Sequence, residues 1–163
     1  MGKHRRHLLG ETRLLMEYLA QTYPDDRWLT NIKVGTAIQP KVGLELTDEE
    51  RRMFKVYQRF PDAVVVRPRE LVVIEACVWR SLEKVGQLLQ YLLVVPHTTE
   101  LKPFLDRPVV GELLTAQGDA VAEKICRDHN IRYTVFVPPW LDEFYALHPE
   151  RKRRAPAPGT MDL

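Results

Sequence analysis

Between Phe60 and Trp79 the chain reads "FPDAVVVRPRELVVIEACVW", two apolar runs separated by "RPRE". Short runs of Val, Leu and Ile bounded by Pro and charged residues predict two buried strands, near 62–67 and 71–78, joined by a turn. Upstream, "RWLTNIKVG" places Trp28, Thr30, Ile32 and Val34 on one face, which predicts a half-buried strand near 28–35. "PVVGELLTA" and "IRYTVFV" predict two more, near 108–115 and 131–137, the last stopped by Pro138 and Pro139. Elsewhere the spacing is helical. Leu8, Leu15, Tyr18 and Leu19 predict a helix over 8–23 that ends at "YPDD". Thr47 and Glu50 stand in capping-box spacing ahead of Met53, Phe54 and Tyr57, and "TAIQPKVGLEL" before them reads as a loop. Ser81 is predicted to cap a helix near 82–95 that Pro96 ends. Asp119 is predicted to cap "AVAEKICRDH", with Asn130 at its far end, and "WLDEFYAL" predicts a turn or two more. Helices between the later strands require crossovers. The expected fold class is therefore α/β, a central mixed sheet flanked by helices on both faces.

Composition narrows the setting. The length of 163 residues suits one domain, with 45% hydrophobic and 28% charged positions, ordinary for a globular chain. The expected domain spans 8–148, between a basic N-terminal tail, 1–7, and a basic, Pro-rich C-terminal tail, 149–163. A net charge of +2 says little, but "GKHRRH" and "ERKRRAPAPG" concentrate it at the two ends, which makes both tails candidates for phosphate contact. Two cysteines, Cys77 and Cys126, are too few for a disulfide framework and sit in apolar segments as small hydrophobes. "LLG" is too short for a signal core and "LLQYLLVV" too short to span a bilayer, so a soluble protein in a reducing compartment is expected. Only His4 and His7 of the five histidines stand close together, which disfavours zinc. No phosphate-binding glycine loop or GxSxG elbow is present.

The chemistry concentrates in the two central strands. Asp62 opens the first and Glu75 interrupts the second. A carboxylate beside an apolar sheet is costly unless something pairs with it, an arginine in a purely structural role or a metal ion in a functional one. Alternation puts Glu75 and Cys77 on one face, and the hairpin register can bring Asp62 beside Glu75. Two carboxylates at adjoining strand ends make a hard-oxygen site suited to Mg²⁺ or Mn²⁺. On the next helix, Lys84, Gln87 and Tyr91 fall within about 60° of one another and are expected to form one polar edge, opposite Val85, Leu88, Leu89 and Leu92.

Pro61-Asp62, twelve intervening residues, Glu75-Ala76-Cys77 and then Gln87-Leu-Leu-Gln-Tyr91 resemble the PD-(D/E)xK nuclease superfamily, and more narrowly its RecB-type and NucS-type members. The element order over about 8–138 is similar too, and implies a restriction-endonuclease-like sheet. By that resemblance Asp62 and Glu75 hold the metal, and Glu11 or Glu17 matches a further acidic residue of the leading helix. Gln87 and Tyr91 brace the DNA-facing side, with Arg80 beside them. The departure is Cys77, which stands where the superfamily has a lysine that orients the attacking water. A thiol supplies no positive charge, and a thiolate is a soft ligand ill-suited to Mg²⁺. Two expectations follow from the resemblance. One is a degenerate nuclease fold that serves as a structural or binding component of a larger assembly, such as a phage head–tail junction, in the cytoplasm or the virion, with other subunits as partners, DNA contact through the basic tails and no membrane. The alternative is an active Mg²⁺-dependent DNA nuclease that uses Asp62, Glu75 and a relocated Lys84.

Overall fold

The computed structural model describes residues 3–36, 60–79 and 81–151. The helix expected after Thr47, the loop before it, Arg80 and the tail beyond 151 lie outside the described residues. The chain opens with a helix, α1 (Lys3–Thr22), which begins inside the segment read as a tail. Strands β1 (Arg27–Thr30), β2 (Ala63–Val66) and β3 (Leu71–Cys77) follow. Then come α2 (Ser81–Val94), β4 (Val109–Thr115), α3 (Ala120–Asp128), β5 (Arg132–Val135) and α4 (Leu141–Leu147). Short 3₁₀ turns occupy Val95–His97, Thr99–Phe104 and Pro149–Arg151.

The five strands form one mixed sheet in the order β1-β2-β3-β4-β5. β1, β2 and β3 are antiparallel neighbours, whereas β3, β4 and β5 run parallel through crossovers that contain α2 and α3. This is the α/β class that the alternating elements predict. β1 is shorter than expected: it ends at Thr30, because Asn31 turns the backbone into the left-handed region at φ 56°.

Helices cover both faces of the sheet, so β3 is buried along its whole length, and its near-continuous apolar run reflects that. Val72, Ile74, Ala76 and Leu114 point toward α1 and α4, where they meet Leu14, Tyr18, Leu19 and Tyr145. Leu71, Val73, Cys77 and Leu113 point the other way, toward Val85, Leu88 and Tyr91 of α2 and Cys126 of α3. Gly111 permits that packing: a Cβ there would lie 2.8 Å from the Leu92 side chain. α3 ends as predicted. Asn130 adopts φ 56°, with Asn130 N–H bonded to Arg127 O and Ile131 N–H to Cys126 O, a Schellman arrangement. Among the described residues no helix is long and apolar enough to cross a membrane.

Candidate functional site

The antiparallel register of β2 and β3 pairs Ala63 with Ile74, so Asp62 and Glu75 are the next pair along the ladder. Asp62 lies just before β2, half-buried, and its Oδ2 accepts the backbone N–H of Ala76 at 2.8 Å. Burial raises its pKa, against that hydrogen bond and the nearby Lys84 charge. Glu75 is 1% exposed. Its Oε1 accepts from Lys84 Nζ at 2.6 Å, and its Oε2 is buried with no hydrogen-bond partner among the described residues. Burial first, and then the charge of Asp62, push the Glu75 carboxyl up to about 7 against the pull of Lys84. Burial works against the Lys84 ammonium as well, but Glu75, Asp62 and Glu11 outweigh it and raise that group above an ordinary lysine.

Local structure explains how Lys84 arrives. β3 runs directly into α2, and Lys84 stands in the first turn of that helix, nine positions after Glu75, where it folds back over the end of the strand it has just left. The partner of Glu75 is thus this lysine and not the arginine that a structural role suggested. Cys77 lies one alternation further along the same face, fully buried, its thiol pushed up to about 12 by burial and set against Thr115. It is a packed neutral thiol.

Other expected residues divide. Glu11 on α1 stands near enough to act on the charges of Glu75 and Lys84. Glu17 does not join them. It accepts from Arg13 Nε at 2.9 Å and Trp140 Nε1 at 2.8 Å instead. Gln87 is half-buried on α2, whereas Tyr91, expected on the polar edge, is 6% exposed in the apolar cluster with Val85 and Leu88. The buried face of the helix follows Ser81, Val85, Leu88 and Tyr91, with Leu89 and Leu92 partly buried against the same cluster. Ser81 is the first helical residue, and its hydroxyl donates to Asp119 Oδ2 at 2.9 Å. Asp119 is the predicted cap of α3 and accepts from the N–H groups of Val121 and Ala122.

A cleft of about 320 Å³ opens beside the pair, walled by Glu11, Leu15, Met16, Asn31, Phe60 and Asp62. It reaches Asp62 and Glu11 but not Glu75, whose partner Lys84 is 21% exposed. Among the described residues no three His, Cys, Asp or Glu side chains gather as a closed metal cage. Mg²⁺ does not require one, since it keeps several waters and binds through one or two carboxylates together with substrate oxygens. Two adjoining carboxylates, one with an orphaned buried oxygen, fit that demand.

A second buried acid escaped the sequence reading. Glu112 on β4 is fully buried on the α1 face, where it accepts from the Tyr18 hydroxyl, from Tyr23 Oη at 2.7 Å and from Thr134 Oγ1 at 2.7 Å, with Arg132 Nη1 at 3.4 Å. The signal was the one that marked Glu75, a lone carboxylate inside an apolar strand, "VVGELLT". Its oxygens are fully engaged, which identifies it as a structural node linking α1, β4 and β5. No protein-family model, characterised protein or solved structure matches the chain.

Proposed function

We propose that this protein is a metal-dependent nuclease of restriction-endonuclease-like fold whose positive charge comes from Lys84 on α2. The observation that carries the reading is the Lys84 ammonium, 2.6 Å from Glu75 and drawn also by Asp62, beside a second Glu75 oxygen that has no hydrogen-bond partner among the described residues. The helix supplies what the Cys77 position lacks. Asp62 and Glu75 would hold Mg²⁺ or Mn²⁺, which when bound supplies Lewis-acid charge to a phosphodiester and to the attacking water. The chain's own residues do the rest. The Ala76 N–H fixes Asp62, Lys84 fixes Glu75, and the ammonium stands ready to orient a water and offset charge on the phosphate. Glu11, at the cleft wall, extends the acidic side of the site.

The ammonium also weighs against the degenerate, assembly-only reading, which rests on the missing lysine at Cys77. Linear duplex and single-stranded DNA incubated with Mg²⁺ or Mn²⁺ should be cut by the wild type and not by Glu75→Gln or Lys84→Met. Equal background cleavage by all three would remove the nuclease reading and leave the binding component, without catalysis, in its place.

A further inference from the structure

A second groove, of about 260 Å³, lies between α1 and α4 and is lined by Gly10, Arg13, Trp140, Glu143, Phe144 and His148. Nothing in the Asp62–Glu75 site uses it. Its construction is specific. The Arg13 guanidinium lies over the Trp140 ring, 4.8 Å from the centroid, and Glu17 holds both by accepting Arg13 Nε–H and Trp140 Nε1–H. Phe144 packs edge-on to Trp140 at 6.1 Å, and the His148 ring lies 4.9 Å from Phe144. Gly10 lets the Phe144 ring pack directly against α1, because a Cβ there would stand 2.8 Å from that ring. The outcome is a guanidinium plane backed by an indole, its side chain 58% exposed, with two further rings beside it.

We propose that this groove is a stacking subsite for a base of single-stranded nucleic acid. Bases stack on aromatic rings and on arginine planes irrespective of their identity. Glu17 and Trp140 have already fixed the Arg13 plane, so little freedom remains to be lost on binding. The charge pattern suits the polymer. The sequence of α1 ahead of Gly10 opens with "KHRRH". "RKRR" begins three residues after His148. The sequence flanking both elements that form the groove is therefore cationic, a composition that favours a phosphate backbone. Glu143 marks the rim along which that backbone would not run. A protein partner would use the exposed Leu147 nearby, but it has no need of a guanidinium pinned flat.

The inference takes its polymer from the nuclease reading, and the test separates the two. Anisotropy of a labelled oligothymidylate is measured in EDTA, where cleavage plays no part. Stacking of one base is expected to make Arg13→Gln and Phe144→Leu bind about tenfold more weakly than wild type. Arg13→Lys, which keeps the charge and loses the plane, should weaken binding nearly as much. Wild-type affinity in Arg13→Lys would make the contact a simple charge and overturn the proposal. So would absence of binding by wild type, or unaltered binding by Arg13→Gln. Loss of self-association in Phe144→Leu, with DNA binding intact, would overturn it in favour of a second copy of the chain. If Phe144→Leu fails to fold, the two variants at exposed Arg13 decide the matter. Binding that depends on Arg13 in a protein that cuts nothing would uphold the subsite and remove the nuclease reading.

Discussion

Replacing Glu75 by Gln should make the protein more stable at alkaline pH while abolishing cleavage. In the fold, burial and the neighbouring Asp62 raise the Glu75 carboxyl from its ordinary 4.5 to about 7. The folded protein therefore holds that proton more tightly than the unfolded chain does. Stability consequently falls as pH rises between about 4.5 and about 7, and the whole penalty stands above that window. At about 1.4 kcal/mol for each tenfold difference in proton affinity, it amounts to roughly 3 kcal/mol. Solvent does little to screen it, because Glu75 is 1% exposed. Glutamine has the shape of the protonated acid and carries no charge, so it removes the penalty at pH 8 and gains nothing near pH 4.5. The expected advantage is up to about 3 kcal/mol at pH 8, or on the order of 5–10 °C in Tm for a chain of this size. Some of it is lost because an amide oxygen accepts from Lys84 less strongly than a carboxylate. Urea unfolding in EDTA at pH 8, 6.5 and 5 measures the gap, which should close as pH falls. Mg²⁺ at a hundred times its Kd should then stabilise the wild type alone by about 2.7 kcal/mol and narrow the gap from the other side. A Gln variant less stable than wild type at pH 8, or a gap indifferent to pH, would refute the reasoning. It would mean that Lys84 more than offsets the burial and that the pair is structural.

Three further outcomes test the surroundings. Lys84→Met leaves the buried Glu75 carboxylate without a counter-charge and should cost about 3 kcal/mol at pH 8, less at pH 5 where the acid takes up a proton, as urea unfolding will read. Cys77→Lys forces an ammonium into a fully packed position and should yield no folded protein by circular dichroism. In the wild type, Cys77 and Cys126, with thiols pushed up by burial to about 12 and about 11, should react with a disulfide reagent at pH 8 only after unfolding. Glu112→Gln breaks the contact with Arg132 and disturbs acceptors for Tyr18, Tyr23 and Thr134, so it should destabilise by about 3 kcal/mol at pH 7, opposite in sign to Glu75→Gln.

The strands were legible because both faces of β3 and β4 are covered, and only continuous apolar sequence survives there. Asp119 and Asn130 were legible because caps are local: each residue satisfies backbone groups within a few positions of itself. What could not be read depends on contacts between distant segments. Tyr91 looked like an edge residue on the helical wheel, but the wheel does not say how α2 is rotated on the sheet, and in the fold Tyr91 is buried in one cluster with Val85 and Leu88. Glu17 looked equivalent to Glu11 until Trp140, 123 positions later, supplied the indole N–H that engages it. Lys84 is the basic residue that α2 carries, and its ion pair with Glu75 depends on how the chain turns from β3 into the helix.

Glu75, Glu112 and Asp119 are all acids that this fold buries, and comparing them shows where it keeps something in reserve. Asp119 accepts from the Ser81 hydroxyl and from two backbone N–H groups at the start of α3. Glu112 gathers three hydroxyls and one guanidinium. Both acids stabilise the structure that surrounds them, and neither has an oxygen left for a ligand. Glu75 has one cation on one oxygen and, among the described residues, no hydrogen-bond partner on the other. Purely structural packing would eliminate such an atom, since an unsatisfied buried acceptor costs about 1–3 kcal/mol and a charged one more. An apolar residue in its place on β3 would give a more stable sheet. A polar atom kept buried, unsatisfied and beside a second carboxylate is the acceptor among these three acids that a ligand would complete, and under the proposed function that ligand is a hard cation.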